Sequence, residues 1–212
     1  CAFQQDLMSL EMQKEHLDKQ LQKLEPQISD VHTFIHLAWM DTNDWNSSVH
    51  QNINKQLSEY LIKCLCSGGV EHVIVAGTCL EYGISGGNLT ENLPAKPKNE
   101  YALAKHALYK SIRIMANKNG FKLSWLRLFY IFGGDQPPTT IYGSMMEQII
   151  RGETTFNMSS GQQVRDYLHI DTVCQMILAV VVSKEGFDVV NICSGQGITL
   201  EKHVRSWLHE IN

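Results

Sequence analysis

The stretch EHVIVAGT, Glu71 to Thr78, decides the fold. It is a short, continuous apolar run with no polar alternation, closed by small residues. Such a run reads as a strand covered on both faces, the signature of a central strand in a parallel sheet. Working outward, NSSVHQNINKQLSEYLIKCLCSGG before it reads as a helix with serine caps ahead and glycines behind. HTFIHLAW before that reads as a buried strand ending at Ala38. Residues 6–24 carry Leu7, Leu10, Leu17, Leu21 and Leu24 among charges, an amphipathic helix that Pro26 is expected to end. Lys14 interrupts a coiled-coil seam, so packing on a sheet suits this helix better.

After Thr78 comes a polar loop rich in glycine and proline, GISGGNLTENLPAKPKN, and then a helix opening with NEYALAKHAL. FKLSWLRLFYIFGG reads as one strand, Ile141–Arg151 as a helix, QQVRDYLHI as extended, and Asp171 to about Ser183 as a helix. DVVNICSG supplies a last strand, and a helix starts from Thr199. Strands alternating with helices of this length make a doubly wound parallel α/β sheet. Ligands of such sheets gather at the carboxyl ends of the strands: here Ala38 and Trp39, Gly77 and Thr78, and Tyr130 to Gly133.

Composition narrows the function classes. The chain has 212 residues, a net charge of −4 and 43% hydrophobic residues, enough to bury a full core. A slightly acidic chain without a basic run is a poor nucleic-acid partner. The longest apolar run, Met176 to Val182, is too short to span a membrane, and no signal peptide opens the chain. Six cysteines without metal-ligand spacing point to reduced thiols and a cytoplasmic location. Nine histidines form no HExxH or paired cluster, so no metal site is expected.

Tyr101 and Lys105 stand at i and i+4, one above the other on a helix face. A neighbouring ammonium favours the phenolate, so the pair is able to do proton chemistry, although two solvated residues arise at this spacing by chance. The surrounding pieces decide between the two. FIHLAW, NIN, VAGTCLEYG, YALAK, LRLFYIFGG, VRDYLHID and VVNICSGQGITL occur in the order seen in one superfamily. From about residue 30 onward the chain resembles the extended short-chain dehydrogenases/reductases, in the branch of nucleotide-sugar epimerases, dehydratases and reductases.

The resemblance implies a Rossmann-like fold. Residues 1–135 would form a partial NAD(P)-binding domain, and residues 136–212 a small sugar-nucleotide-binding region plus the final sheet strand. It implies that Tyr101 is the acid/base for hydride transfer at a sugar carbon. Lys105 would bind the nicotinamide ribose and lower the tyrosine pKa, and the Thr78 hydroxyl would meet the reacting oxygen. Ala38, Trp39 and Asn52 match positions lining the NAD or NADP cofactor. Asp6, in CAFQQDL, matches an aspartate at the end of the family's third strand that touches the adenine. Arg165 matches the arginine that grips the sugar-nucleotide diphosphate, with a surface ion pair to Asp166 as its rival role, and Tyr130 faces the substrate where many relatives carry asparagine. His169 and Asp171 would hold the local fold, and Tyr82 would be structural or pack near the sugar.

Departures narrow the reaction. No glycine precedes Gly68, so the glycine-rich dinucleotide loop is missing. The resemblance then implies that the first two strand–helix units are absent, by truncation rather than natural loss, and that this chain alone binds NAD(P) poorly. Dehydratases of the branch follow the catalytic threonine with Asp-Glu, whereas Cys79 and Leu80 stand here. The 3,5-epimerases need a cysteine where Leu80 stands. That leaves 4-epimerisation or 4-keto reduction of a nucleotide-diphosphate sugar, in polysaccharide biosynthesis. The alternative is a binding or scaffold protein that lacks a cofactor site. A homodimer is expected through helices carrying Ile53, Leu57, Leu61 and Ile62, and Leu103, Leu108 and Ile112.

Overall fold

The computed structural model describes residues 2–28, 30–83, 86–183 and 185–211; the side chains of 2–9 and 25–28 lie outside the described set. The chain divides into two compact units, residues 1–127 with 180–191, and residues 128–179 with 192–212.

The first unit opens with helix α1 (Ala2–Ile28). Two expectations are corrected here. AFQQDL, from Ala2, is helical, so Asp6 does not end a strand; the leucine spacing continues back through Leu7, and no glycine or proline interrupts Ala2 to Leu10. The Asp6 side chain is outside the described set. The helix also runs two residues past Pro26. Strand β1 (Thr33–His36) follows, then a π-helical turn (His50–Asn54) leading into α2 (Lys55–Ser67). The N-cap of that turn is Val49 without a side-chain cap; Ser47 Oγ instead accepts the Val49 N–H at 3.3 Å.

Strand β2 (His72–Thr78) is buried at all seven positions, as its unbroken apolar run requires. It leads through a single 3₁₀ turn (Cys79–Tyr82) and the polar loop to α3 (Glu100–Asn119). Asn99 caps α3 by accepting the Ala102 N–H at 2.8 Å, and Gly120, at φ +80°, ends it. Strand β3 (Lys122–Leu128) follows. The stretch expected as one strand breaks after Leu128, and β4 (Tyr130–Phe132) pairs elsewhere. The parallel sheet has the order β1–β2–β3–β7, with β7 at Val189–Ile192, and β1 runs beside β2 with Ile35 opposite Ile74.

The core of this unit gathers Ile62, Val73, Val75, Leu108, Ile112 and Trp125. Ile53, Ile62, Leu108 and Ile112, expected on a dimer face, are therefore buried within their own unit. Asn191 at β7 ties the polar loop down: its amide accepts the Tyr82 hydroxyl at 2.8 Å and donates to Leu89 O at 2.9 Å. The Tyr82 ring also lies 4.3 Å from the Arg127 guanidinium.

In the second unit β4 pairs in parallel with β6 (Tyr167–His169), and β5 (Val164–Arg165) pairs antiparallel with β8 (Ile198–Thr199). QQVRDYLHI is thus two short strands in two sheets rather than one extended piece. Helix α4 (Ile141–Ile150) and α6 (Leu200–Ile211) close a core of Met145, Leu200, Val204 and Trp207. Helix α5 (Ile170–Ser183) leads the chain back to the first unit. His169 Nδ1 accepts the Asp171 N–H at 3.2 Å, holding the start of α5 as expected. Among the described residues, no helix is long and apolar enough to cross a membrane.

Candidate active site

At the carboxyl end of β2 the chain turns at Thr78, which is extended (φ −148°, ψ 145°) and buried. Its hydroxyl accepts the Leu80 N–H at 3.3 Å, which fixes the side chain at the head of the 3₁₀ turn. Tyr101, in the first turn of α3, has the Thr78 side chain beside its phenol, and its N–H donates to Trp45 O at 2.9 Å. One helical turn on, Lys105 is 2% exposed. Its ammonium donates to Ala76 O at 2.6 Å and lies 3.9 Å from the Trp39 ring centroid and 5.9 Å from that of Tyr101. Thr78 and Trp39 are thereby brought to Tyr101 and Lys105, from which they are distant in sequence.

Burial pushes the Tyr101 phenol up to about 12, with the negative charge of Glu81 adding to it and the Thr78 hydrogen bond opposing. This is the reverse of the sequence expectation. Lys105 is a weak lever on the phenol because burial brings its own ammonium down to about 7, against the pull of Glu81. Burial, aided by Lys105, likewise lowers His36 to about 4.

Trp39 is held by a histidine. Its indole N–H donates to His50 Nδ1 at 3.0 Å, so the His50 proton resides on Nε2, which donates to Asp44 O at 2.8 Å. Tyr101 stands edge-on to both rings, at 6.1 Å from Trp39 and 5.3 Å from His50. Asn52 lies in the π-helical turn, half-buried. Asn54, two residues on, bonds the Met40 backbone in both directions, at 3.0 and 2.9 Å.

Ala38 and Trp39 border a mostly apolar cavity of about 780 Å³, with His36, Asn54, Leu57 and Leu61 also on its wall. Tyr101 and Lys105 are not on that wall and adjoin it through Trp39, which both contact, and the wall residues enclose a space of ligand size. They supply no glycine-rich cradle for a pyrophosphate.

Four residues outside the sequence reading belong to this centre. Glu81 is fully buried, and Arg127, Trp125 and His106 surround its carboxylate. The spacing Thr78-x-x-Glu81 is that of a capping box, the one local signal able to reveal Glu81.

In the second unit Arg165 donates to Val164 O at 2.8 Å, and its guanidinium lies 5.3 Å from the Tyr130 ring centroid. Tyr130 in turn packs on Tyr167 at 5.2 Å. Asp166 does not pair with Arg165. Its two oxygens accept the Ser194 and Gly195 N–H groups at 2.9 and 2.8 Å, where Gly195 turns with φ +77°.

Residues 13–193 match the NAD dependent epimerase/dehydratase family. The chain belongs to this family. It is 27% identical over 187 residues to a dTDP-6-deoxy-L-talose 4-dehydrogenase (NAD(+)) of Aggregatibacter actinomycetemcomitans, covering 87% of this chain and 68% of the relative. It is 26% identical to a UDP-glucose 4-epimerase of Corynebacterium glutamicum, covering 75% and 53%. The fold is that of the UDP-glucuronic acid 4-epimerase of Bacillus cereus solved with NAD, at a TM-score of 0.74, 21% identity and coverage of 89% and 62%. The chain thus spans between about half and two thirds of the length of these relatives.

Proposed function

We propose that this chain carries the proton-transfer centre of an NAD- or NADP-dependent enzyme acting at C4 of a nucleotide-diphosphate sugar, as a 4-epimerase or a 4-keto reductase. The observation that carries the reading is the Tyr101 phenol with the Thr78 side chain beside it and the buried Lys105 ammonium 5.9 Å from its ring centroid. A phenol and a hydroxyl converging on one C–O group are able to hold it and exchange its proton. Tyr101, with its phenol raised to about 12, is a proton donor in this state. The cofactor, when bound, supplies the hydride acceptor or donor and the positive nicotinamide charge that favours the phenolate.

Cys79 and Leu80 after Thr78 provide no acid/base pair for elimination, which disfavours dehydration. The names of the relatives support position 4: the talose dehydrogenase, a GDP-6-deoxy-D-talose 4-dehydrogenase and the UDP-glucose epimerase share it. We assign Arg165 to the diphosphate, because an arginine fork suits a pair of phosphate oxygens and Asp166 is engaged elsewhere. Polysaccharide synthesis, a cytoplasmic setting and a homodimer go with this reading. In α3, Leu103 and Ile114 remain exposed for a second copy, and light scattering tests the dimer.

The test is incubation of the full-length protein and cofactor with a panel of UDP-, dTDP- and GDP-hexoses and their 4-keto-6-deoxy forms. A C4 epimer without net cofactor change identifies the epimerase, and stoichiometric consumption of reduced nicotinamide identifies the reductase. No conversion across the panel overturns the reading. Arg165→Ala should raise the dissociation constant of free nucleoside diphosphate about tenfold to a hundredfold, the loss of one charge-assisted contact of about 1.5–3 kcal/mol. Calorimetric titration reads this, and an unchanged affinity removes Arg165 from the site.

A further inference from the structure

Glu81 is a carboxylate with no solvent exposure. Burying a lone carboxylate costs several kcal/mol, so its surroundings must be built for it. They are. Oε1 accepts the Thr78 N–H at 3.0 Å and the Trp125 indole N–H at 2.8 Å. Oε2 accepts the Arg127 Nε–H at 3.3 Å and stands 3.6 Å from His106 Nδ1. Gly77 leaves the room: a Cβ there would come within 2.2 Å of the Trp125 nitrogen and 2.7 Å of Glu81 Oε1. Four positions, on β2, β3 and α3, thus converge on one side chain, whose link to the Thr78–Tyr101 pair is the main-chain N–H of Thr78.

We propose that Glu81 is a positioning residue: by gripping the Thr78 amide it holds the Thr78 hydroxyl against Tyr101 in the geometry that proton transfer needs. The proposal rests on the reading that Thr78 and Tyr101 do the chemistry. Glu81 touches neither substrate nor cofactor in this role. Trp125 and Arg127, both on β3, aim the carboxylate; Glu81 aims Thr78. Positional errors of about 1 Å at such a centre cost on the order of a hundredfold in rate.

Two paired variants test it, each removing Arg127 with Glu81 so that no unpartnered charge is left buried. Glu81→Gln with Arg127→Met keeps an oxygen acceptor for the Thr78 amide. Glu81→Leu with Arg127→Met removes it. The Thr78 amide proton should keep its protection from hydrogen exchange in the glutamine pair and lose it at least about tenfold in the leucine pair. In the full-length enzyme, kcat should fall about a hundredfold in the leucine pair at nearly constant KM and recover in the glutamine pair. Equal exchange, or equal kcat, in the two pairs overturns the proposal. Thr78→Val, run beside them, separates the failures. Normal turnover in that variant defeats the reading of the site and the catalytic role of Glu81 with it. A crippled Thr78→Val beside two equally active pairs defeats the Glu81 proposal alone.

Discussion

Tyr101→Phe in the full-length enzyme is expected to lower kcat by about 10²- to 10⁴-fold, the usual contribution of a positioned acid/base. The substitution deletes the hydroxyl that meets Thr78 and leaves the ring. The edge-on packing with Trp39 and His50 therefore survives. So does the Tyr101 N–H bond to Trp45 O, because it is made by the main chain. The melting temperature should stay within a few degrees of the parent, and substrate KM should change little, since the lost group acts on the transferring proton. Single-turnover measurement of nicotinamide reduction isolates the hydride step from product release. Near-normal rates in that assay would falsify the acid/base role.

The second large effect concerns stability. Burial lowers the Lys105 ammonium to about 7 in the native state, with Glu81 opposing, whereas an unfolded lysine titrates near 10.4. Between those values the unfolded chain binds a proton that the native chain does not. Stability contributed by Lys105 therefore rises with pH from about 7 to about 10 and is smallest below 7. The difference is on the order of 5 kcal/mol across that window. Above about 10 the sign reverses for Tyr101, because its native phenol, raised to about 12, ionises later than an unfolded one.

Lys105→Met should flatten the rise between about pH 7 and 10. Below it, the variant should be more stable than the parent by about 3 kcal/mol, after the lost bond to Ala76 O is allowed for. Urea unfolding across this pH range reads both numbers. A variant with the same slope as the parent shows that Lys105 is charged throughout. The same substitution should abolish turnover, so the lysine is kept at a cost in stability, as functional groups often are.

Much of the architecture is legible from the chain. The unbroken apolar run His72–Thr78 can be satisfied only between two strands, and the alternation of strands and helices around it leaves few topologies. The Tyr101–Lys105 juxtaposition is equally local, because a helix puts i and i+4 together whatever surrounds it. Local signals mislead where a segment's neighbours decide. The resemblance puts a strand end at Asp6 where AFQQDL belongs to α1, and QQVRDYLHI divides because β5 and β6 find different partners.

The chemistry of the centre belongs to tertiary structure. Nothing in the sequence says that Glu81 is buried, since its donors Trp125 and Arg127 lie 44 and 46 residues away. The same holds for Trp39 over the Lys105 ammonium and for Asp166 gripping a turn rather than Arg165. The direction of the Tyr101 shift follows from these contacts as well. Charge spacing along a helix predicts a phenol made more acidic by its lysine. Desolvation is set by everything packed around a group, it acts on both partners, and in this fold it outweighs their attraction.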